Sequence, residues 1–407
     1  MLVGSLQRSL IRFKLLYSLN SLVRLCRCLF QKNFPFHFHL GSDEIEGRDL
    51  AGTRSDLRGQ KCLFVSKRLM LIGCLMVTIP SMTNAQRVEI QQDGRSYVDL
   101  ATVGGRLGMK AYWLSGNKTF RLRSQWTNID IGKGKRILYL NSIPIYLGFP
   151  TIESSSRLYM AKADYQHVLQ PILTPQAFSE KPALRRIIID AGHGGRDGGA
   201  KNDAYRLHEK DLTLDVSRRL KFMLERRGYE VVMTRDSDVF IPLERRPQIA
   251  NRAKGDLFIS IHFNAAARTT AEGYETFALT PQYQASSKYS EPGRGDSRRY
   301  DGNDQDPWNT LLGYHVQRSL VQTMGGTDRG LKRARFLVLK HLDCPGVLLE
   351  LGFVSNPETA HKVRSATFRQ SLAQSLYDGI IQYHKRLNGS RSVCSILIDI
   401  PEYSFPS

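Results

Sequence analysis

Two histidines and two carboxylates stand where the chain punctuates its apolar runs. His193 lies in "DAGHGGRDGGA" (190–200), directly after Ile187-Ile188-Ile189. Glu209 opens a helical pattern in "RLHEKDLTL", His262 ends the run in "DLFISIHFN", and Glu350 ends the run in "GVLLELGF". His193, Glu209 and His262 form a ligand set suited to catalytic zinc, in which three protein groups leave a fourth position to water. Metal bonds of about 2 Å need fixed ligands, and strand ends and a helix start supply that rigidity. The glycines flanking His193 let the backbone bend tightly enough to turn its imidazole over a sheet edge. Glu350 has a different task. Closing Val347-Leu348-Leu349, it would cost several kcal/mol if buried unpaired. Beside a zinc-activated water it can accept a proton and pass it to a leaving amine.

Each residue also has a plainer reading. A Gly-rich turn can cradle a phosphate at a helix N-terminus, although this one lacks both GK[ST] and the GxGxxG spacing. His262 alternates with Phe258 and Ser260 and could be a core histidine. Glu209 could complement a helix dipole, and His208 is a rival ligand.

The elements that must position these residues follow an α/β pattern from 185 to 387. Strands are expected at 186–190, 230–234, 256–262, 273–279, 336–339 and 347–351. Helices are expected at 209–226, 243–253, 307–323 and 366–386. In open α/β sheets ligands collect outside the carboxyl ends of strands. His193, His262 and Glu350 belong there, and Glu209 joins them if the segment 194–208 folds back. The stretch 281–306, rich in Gly, Ser, Arg and Asp, is expected to be a mobile loop. Ahead of this domain, 86–173 reads as a small, mainly β module with one helix near 101–107, and 174–184 reads as a linker. The fold expected is thus a three-layer catalytic domain, a largely β sheet flanked by helices, beside that small module.

The 407 residues carry a net charge of +20, which implies acidic partners, and six cysteines with no CxxC pair, which argues against a thiolate metal site. "SKRLMLIGCLMVTIPSMTNAQ" has the basic start, short apolar core and small-residue end of an export signal at 66–85, cleaved after Ala85. Its apolar run is too short to span a bilayer, which takes about 20 residues. A lipoprotein box ending in Cys74 is the second reading. Residues 1–65 are expected to be a non-native or disordered extension, with translation starting near Leu63 or Val65. Residues 388–407 form a tail. Export makes nucleic acid an improbable partner despite the charge.

"DAGHGGRDGGA", "HEKDLTLDV", "VVMTRDSD", "LERRPQIANRAKGDLFISIHFNA", "GYETFALTP", "DRGLKRARFLVLK" and "PGVLLELGFVSNPE" follow one another in family order. Over 185–387 the chain resembles the zinc-dependent N-acetylmuramoyl-L-alanine amidases of bacteria. The resemblance implies zinc held through His193, Glu209 and His262, with Glu350 as catalytic acid/base. It also implies hydrolysis of the peptidoglycan amide joining N-acetylmuramic acid to L-alanine, and the export signal at 66–85 implies a place in the periplasm or cell wall. Arg235, Arg246 and Asn251 match family positions too, with loop-holding as their expected role. Residues 86–173 resemble the copper amine oxidase N-terminal-like domain, without a metal site, since His167 is the module's single histidine. The region 280–306 lacks the amphipathic period of an autoinhibitory helix, and an activator protein is left unassigned. Two other functions stay open: a related zinc peptidase acting on the stem peptide, and a non-catalytic wall-binding protein.

Overall fold

Short strands with one apolar face build the first part of the chain. In the computed structural model, which describes residues 88–178 and 180–389, they are β1 (Glu89–Gln92), β2 (Arg95–Asp99), β3 (Lys110–Trp113), β4 (Thr119–Arg123), β5 (Asn128–Gly132), β6 (Ile137–Leu140), β7 (Ile143–Tyr146), β8 (Ile152–Ser154) and β9 (Arg157–Ala161). The helix α1 (Leu100–Arg106) is capped by Asp99, whose side chain accepts from the Thr102 N–H. The expected extension 1–65, the expected export signal 66–85 with Cys74, and residues 390–407 of the expected tail 388–407 lie outside the described residues. No helix among the described residues is long and apolar enough to cross a membrane.

The second part opens with β10 (Arg186–Ala191). A small hairpin, β11 (Lys201–Asn202) and β12 (Leu207–His208), then leads into α2 (Glu209–Arg226), β13 (Glu230–Met233), α3 (Arg245–Arg252), β14 (Leu257–Asn264) and β15 (Tyr274–Leu279). There follow α4 (Asp306–Met324), β16 (Asp328–Ala334), α5 (Leu337–Lys340), β17 (Gly346–Phe353), α6 (Pro357–Val363) and α7 (Ala366–Asn388). Strands β13, β10, β14 and β17 run parallel in that order, and β15 returns antiparallel to β17. Ile187 and Ile189 pack on one face with Val216 and Leu220 of α2, while Ile188 packs on the other with Ala250 and Phe258. Burial on both faces is why these strands read as unbroken apolar runs. Helix α2 lies where its pattern put it, with Leu212, Val216, Leu220 and Leu224 buried every fourth residue.

The two parts share one sheet. Strand β7 pairs parallel with β16 at Ile145 and Leu331, and the sheet reaches eleven strands by running on through β6, β5, β4 and β3. Gly330, at φ +83°, permits this junction: a Cβ there would sit 2.2 Å from the Pro144 carbonyl oxygen. Ile145, Leu147 and Leu169 share a core with Ala278, Tyr314 and Leu331. The buried Arg333 donates to the His167 carbonyl at 3.1 Å and to Thr310 Oγ1 at 2.6 Å.

Two local expectations are corrected. Residues 336–339 do not form a strand: Leu337–Lys340 is helical, and the strand lies earlier, at Asp328–Ala334. A short apolar run does not distinguish a buried helical turn from a strand. The true strand is polar because Arg329 and Lys332 reach the buried Glu275. Nor is 281–306 a loop throughout: it holds two short 3-10 helices, Arg294–Ser297 and Asp301–Gln305. Arg335 donates to the Pro281 and Gln284 carbonyls, each at 3.0 Å, and Ser287 exchanges two hydrogen bonds with the Arg333 backbone.

Candidate metal centre

His193 sits two residues past β10, at φ +60°. That left-handed backbone costs a non-glycine residue roughly 1–2 kcal/mol and must be held in place. Buried arginines hold it. Arg246 donates to the His193 carbonyl at 2.9 Å and to Asp190 Oδ1 at 2.8 Å, and Arg235 donates to the Ala191 and Gly192 carbonyls at 2.9 and 2.7 Å. Asp190, fully buried, also accepts from Thr234 at 2.6 Å and Ser260 at 2.7 Å. Asn251 lies farther off, tying the segment 341–343 to α3 through the His341 carbonyl and the Asp343 N–H. All three residues thus hold loops.

Glu209 reaches the same point because 194–208 folds back. Asp197 and Gly194 close a tight turn, the β11–β12 hairpin returns the chain, and the Glu209 N–H donates to the Ala200 carbonyl at 2.8 Å. The Glu209 carboxylate is fixed by two backbone donors, Ala200 N–H at 2.8 Å and Phe263 N–H at 2.9 Å. Its Oε1 lies 3.0 Å from His193 Nε2 and 3.1 Å from His262 Nδ1. The candidate ligand atoms of His193, Glu209 and His262 all fall within 4.8 Å of one another, so the three could hold a metal ion. His208 is not one of them; its Nδ1 is buried without a hydrogen-bond partner.

Two glycines make room for this convergence. A Cβ on Gly192 would lie 2.4 Å from the His262 ring, and one on Gly199 would lie 2.6 Å from Glu209 Oε2 and 2.7 Å from His193 Cδ2. A neutral imidazole pair with one carboxylate is a borderline N/O donor set that suits zinc. Burial opposes the Glu209 charge, but hydrogen bonds from His193 and His262 hold its carboxyl well below the usual range. Burial likewise opposes the His193 cation, yet Glu209 and Asp197 raise its pKa overall.

Glu350 lies on β17 directly beside His262 on β14 and beside Glu275 on β15. It faces a cavity of about 320 Å³ that His193, Glu209, His262, Leu243, Leu337 and Leu348 also line. Its Oε2 is buried and has no hydrogen-bond partner. Burial, reinforced by repulsion from Glu209 and Glu275, pushes its carboxyl well above the usual range. A carboxyl without a hydrogen-bond partner, beside a cluster that could hold a metal ion, has the surroundings in which perturbed acid/base groups are found.

Sequence reasoning missed the group that orients His193. Asp197 Oδ2 lies 2.9 Å from His193 Nδ1, which fixes the ring and leaves Nε2 facing Glu209. The signal was there, a carboxylate four residues after a candidate ligand in "HGGRD", but its meaning depends on the turn that brings the two together.

Residues 187–382 match the family model described as N-acetylmuramoyl-L-alanine amidase. The N-acetylmuramoyl-L-alanine amidase LytC of Bacillus subtilis is 33% identical over 199 residues, covering 49% of this chain and 35% of LytC. The N-acetylmuramoyl-L-alanine amidase AmiA of Escherichia coli is 31% identical over 222 residues, covering 49% of this chain and 76% of AmiA. The uncharacterized protein YqiI of Bacillus subtilis is 34% identical over 213 residues, covering 52% of this chain and 91% of YqiI. The chain therefore spans about a third of the length of LytC and most of AmiA and YqiI. With the motifs in order and the His-Glu-His cluster assembled, the chain belongs to the N-acetylmuramoyl-L-alanine amidase family.

Proposed function

We propose that the protein is a zinc-dependent peptidoglycan hydrolase that cleaves the amide between N-acetylmuramic acid and L-alanine. The observation that carries this reading is the convergence of His193, Glu209 and His262 beside the unpartnered carboxyl of Glu350. Zinc bound there would supply Lewis acidity to the attacking water and the scissile carbonyl, and a positive charge that favours ionised Glu350. Glu350 takes the proton of the attacking water and delivers it to the departing amide nitrogen. Asp197 holds the His193 ring, and the backbone donors of Ala200 and Phe263 hold Glu209, so neither ligand must reorganise during turnover. Leu243, Leu337 and Leu348 line the cavity with apolar surface and limit competing water.

The wider assignments belong to the same reading. The protein is exported through 66–85 to the periplasm or cell wall. Residues 185–387 are the catalytic domain, and 86–173 are an accessory module of the copper amine oxidase N-terminal-like kind. Paired substitutions test the site. Glu209→Gln removes an anionic ligand and should lower zinc content and activity together. Glu350→Gln keeps zinc while turnover falls by about 10²- to 10⁴-fold, the usual worth of a positioned acid/base. Zinc lost from Glu350→Gln but retained in Glu209→Gln would exchange the two roles.

A further inference from the structure

We propose that the face of the fused sheet that carries Glu350, running from there across β15, β16 and β7 to β6, binds the polymeric strand of peptidoglycan next to the cleaved bond. In this arrangement Tyr139 and Tyr146 stack against sugar rings, and Arg329 and Lys332 lie beside the stem peptides. The proposal rests on the hydrolase reading above and adds to it the surface that captures the polymer.

Strand register carries the argument. Ile145 and Leu331, paired at the junction, both point into the shared core. Their neighbours Tyr146 and Lys332 therefore point to the opposite face. Lys332 Nζ lies 5.6 Å from the Tyr146 ring centroid and 5.7 Å from that of Phe277, which shows that β7, β16 and β15 present these side chains together. Phe277 is followed across the ladder by Leu348, which lines the catalytic cavity. On the outer side Tyr146 stands opposite Ile137, and Tyr139 stands opposite Pro144. Tyr139 is 48% exposed on a sheet whose other face is packed. From β17 to β6 there are four strand gaps, roughly 20 Å at about 4.8 Å each, enough for several sugar rings.

The charge fits the same occupant. Glu275, directly beside Glu350, is met by two cations, Arg329 at 3.4 Å and Lys332. Two cations against the two carboxylates Glu275 and Glu350 balance the charge at the edge of the catalytic cavity, so this edge does not repel an acidic stem peptide. A glycan carrying such peptides offers flat apolar ring faces for the tyrosines.

Tyr139→Ala removes an exposed ring and should leave the core intact, and Phe222→Ala removes a ring 60% exposed on α2, away from this face. Each is assayed on intact sacculi and on a soluble single disaccharide-peptide. Tyr139→Ala should raise KM on sacculi about three- to tenfold, the worth of one aromatic contact. It should leave kcat on sacculi, kinetics on the small substrate and zinc content unchanged, and Phe222→Ala should change nothing. In the Glu350→Gln background, adding Tyr139→Ala should weaken co-sedimentation with sacculi to the same degree. Equal effects on both substrates, equal effects of the two variants, or no effect of Tyr139→Ala would overturn the track. Wild-type protein that cleaves neither substrate would instead overturn the hydrolase reading, and the co-sedimentation comparison would still judge the surface.

Discussion

Replacing Asp197 by alanine should weaken zinc binding without touching a ligand. Asp197 Oδ2 lies 2.9 Å from His193 Nδ1, and its Oδ1 accepts the Gly199 N–H at 3.1 Å. Losing the carboxylate frees the His193 ring to rotate and to carry its proton on Nε2, the nitrogen that should face the metal. Such outer partners are worth about 10- to 100-fold in metal affinity, or about 1.4–2.7 kcal/mol. The Asp197 side chain is 41% exposed, so solvent screening places the effect near the low end, about tenfold. Asp197→Asn keeps an acceptor for Nδ1–H but loses the charge, and should fall between wild type and alanine. Competition with a chromogenic chelator at neutral pH, on samples of matched thermal stability, measures the ratio. Equal zinc affinity in wild type and Asp197→Ala would refute the claim that this carboxylate fixes the ligand, as would Asn binding zinc more weakly than Ala.

Three further outcomes follow from the same geometry. Gly199→Ala puts a Cβ 2.6 Å from Glu209 Oε2 at a backbone φ of +64°, so metal analysis should find zinc content sharply reduced. Arg246→Met leaves buried Asp190 without its cation and should cost about 3–5 kcal/mol in denaturant unfolding; a loss below about 1 kcal/mol would contradict the pairing. Burial opposes the Asp190 charge, but Arg246, Thr234 and Ser260 hold its pKa below the ordinary value. A depressed pKa in the folded state contributes stability above the unfolded value of about 3.9, and that contribution is lost as pH falls through the folded one. Asp190→Asn should therefore flatten the acid limb of stability, and an unchanged limb would assign it to other carboxylates.

What the sequence could and could not disclose follows from how far each feature depends on distant contacts. Helix α2 was legible because Leu212, Val216, Leu220 and Leu224 repeat along one face. Strands β10, β14 and β17 were legible because burial on both sides demands continuous apolar residues. Strand β16 was not, because Arg329 and Lys332 are polar for the sake of Glu275, a partner more than fifty residues away. The fusion of the two parts through Ile145 and Leu331 was equally hidden, since pairing between distant edge strands leaves no local pattern. The four site residues stood out in their motifs. Asp197 and the backbone donors on Glu209 did not, because only the folded-back segment 194–208 gives them a role.

Product analysis on purified sacculi decides whether the protein cuts the amide next to L-alanine. Purified protein, with and without a zinc chelator, is incubated with sacculi and every new terminus is identified. Amidase cleavage at a zinc centre should give new amino-terminal L-alanine, intact glycan strands, loss of the reaction with chelator, and its return when zinc is restored. New termini inside the stem peptide, new reducing ends in the glycan, or release of L-alanine termini undiminished by the chelator would contradict it.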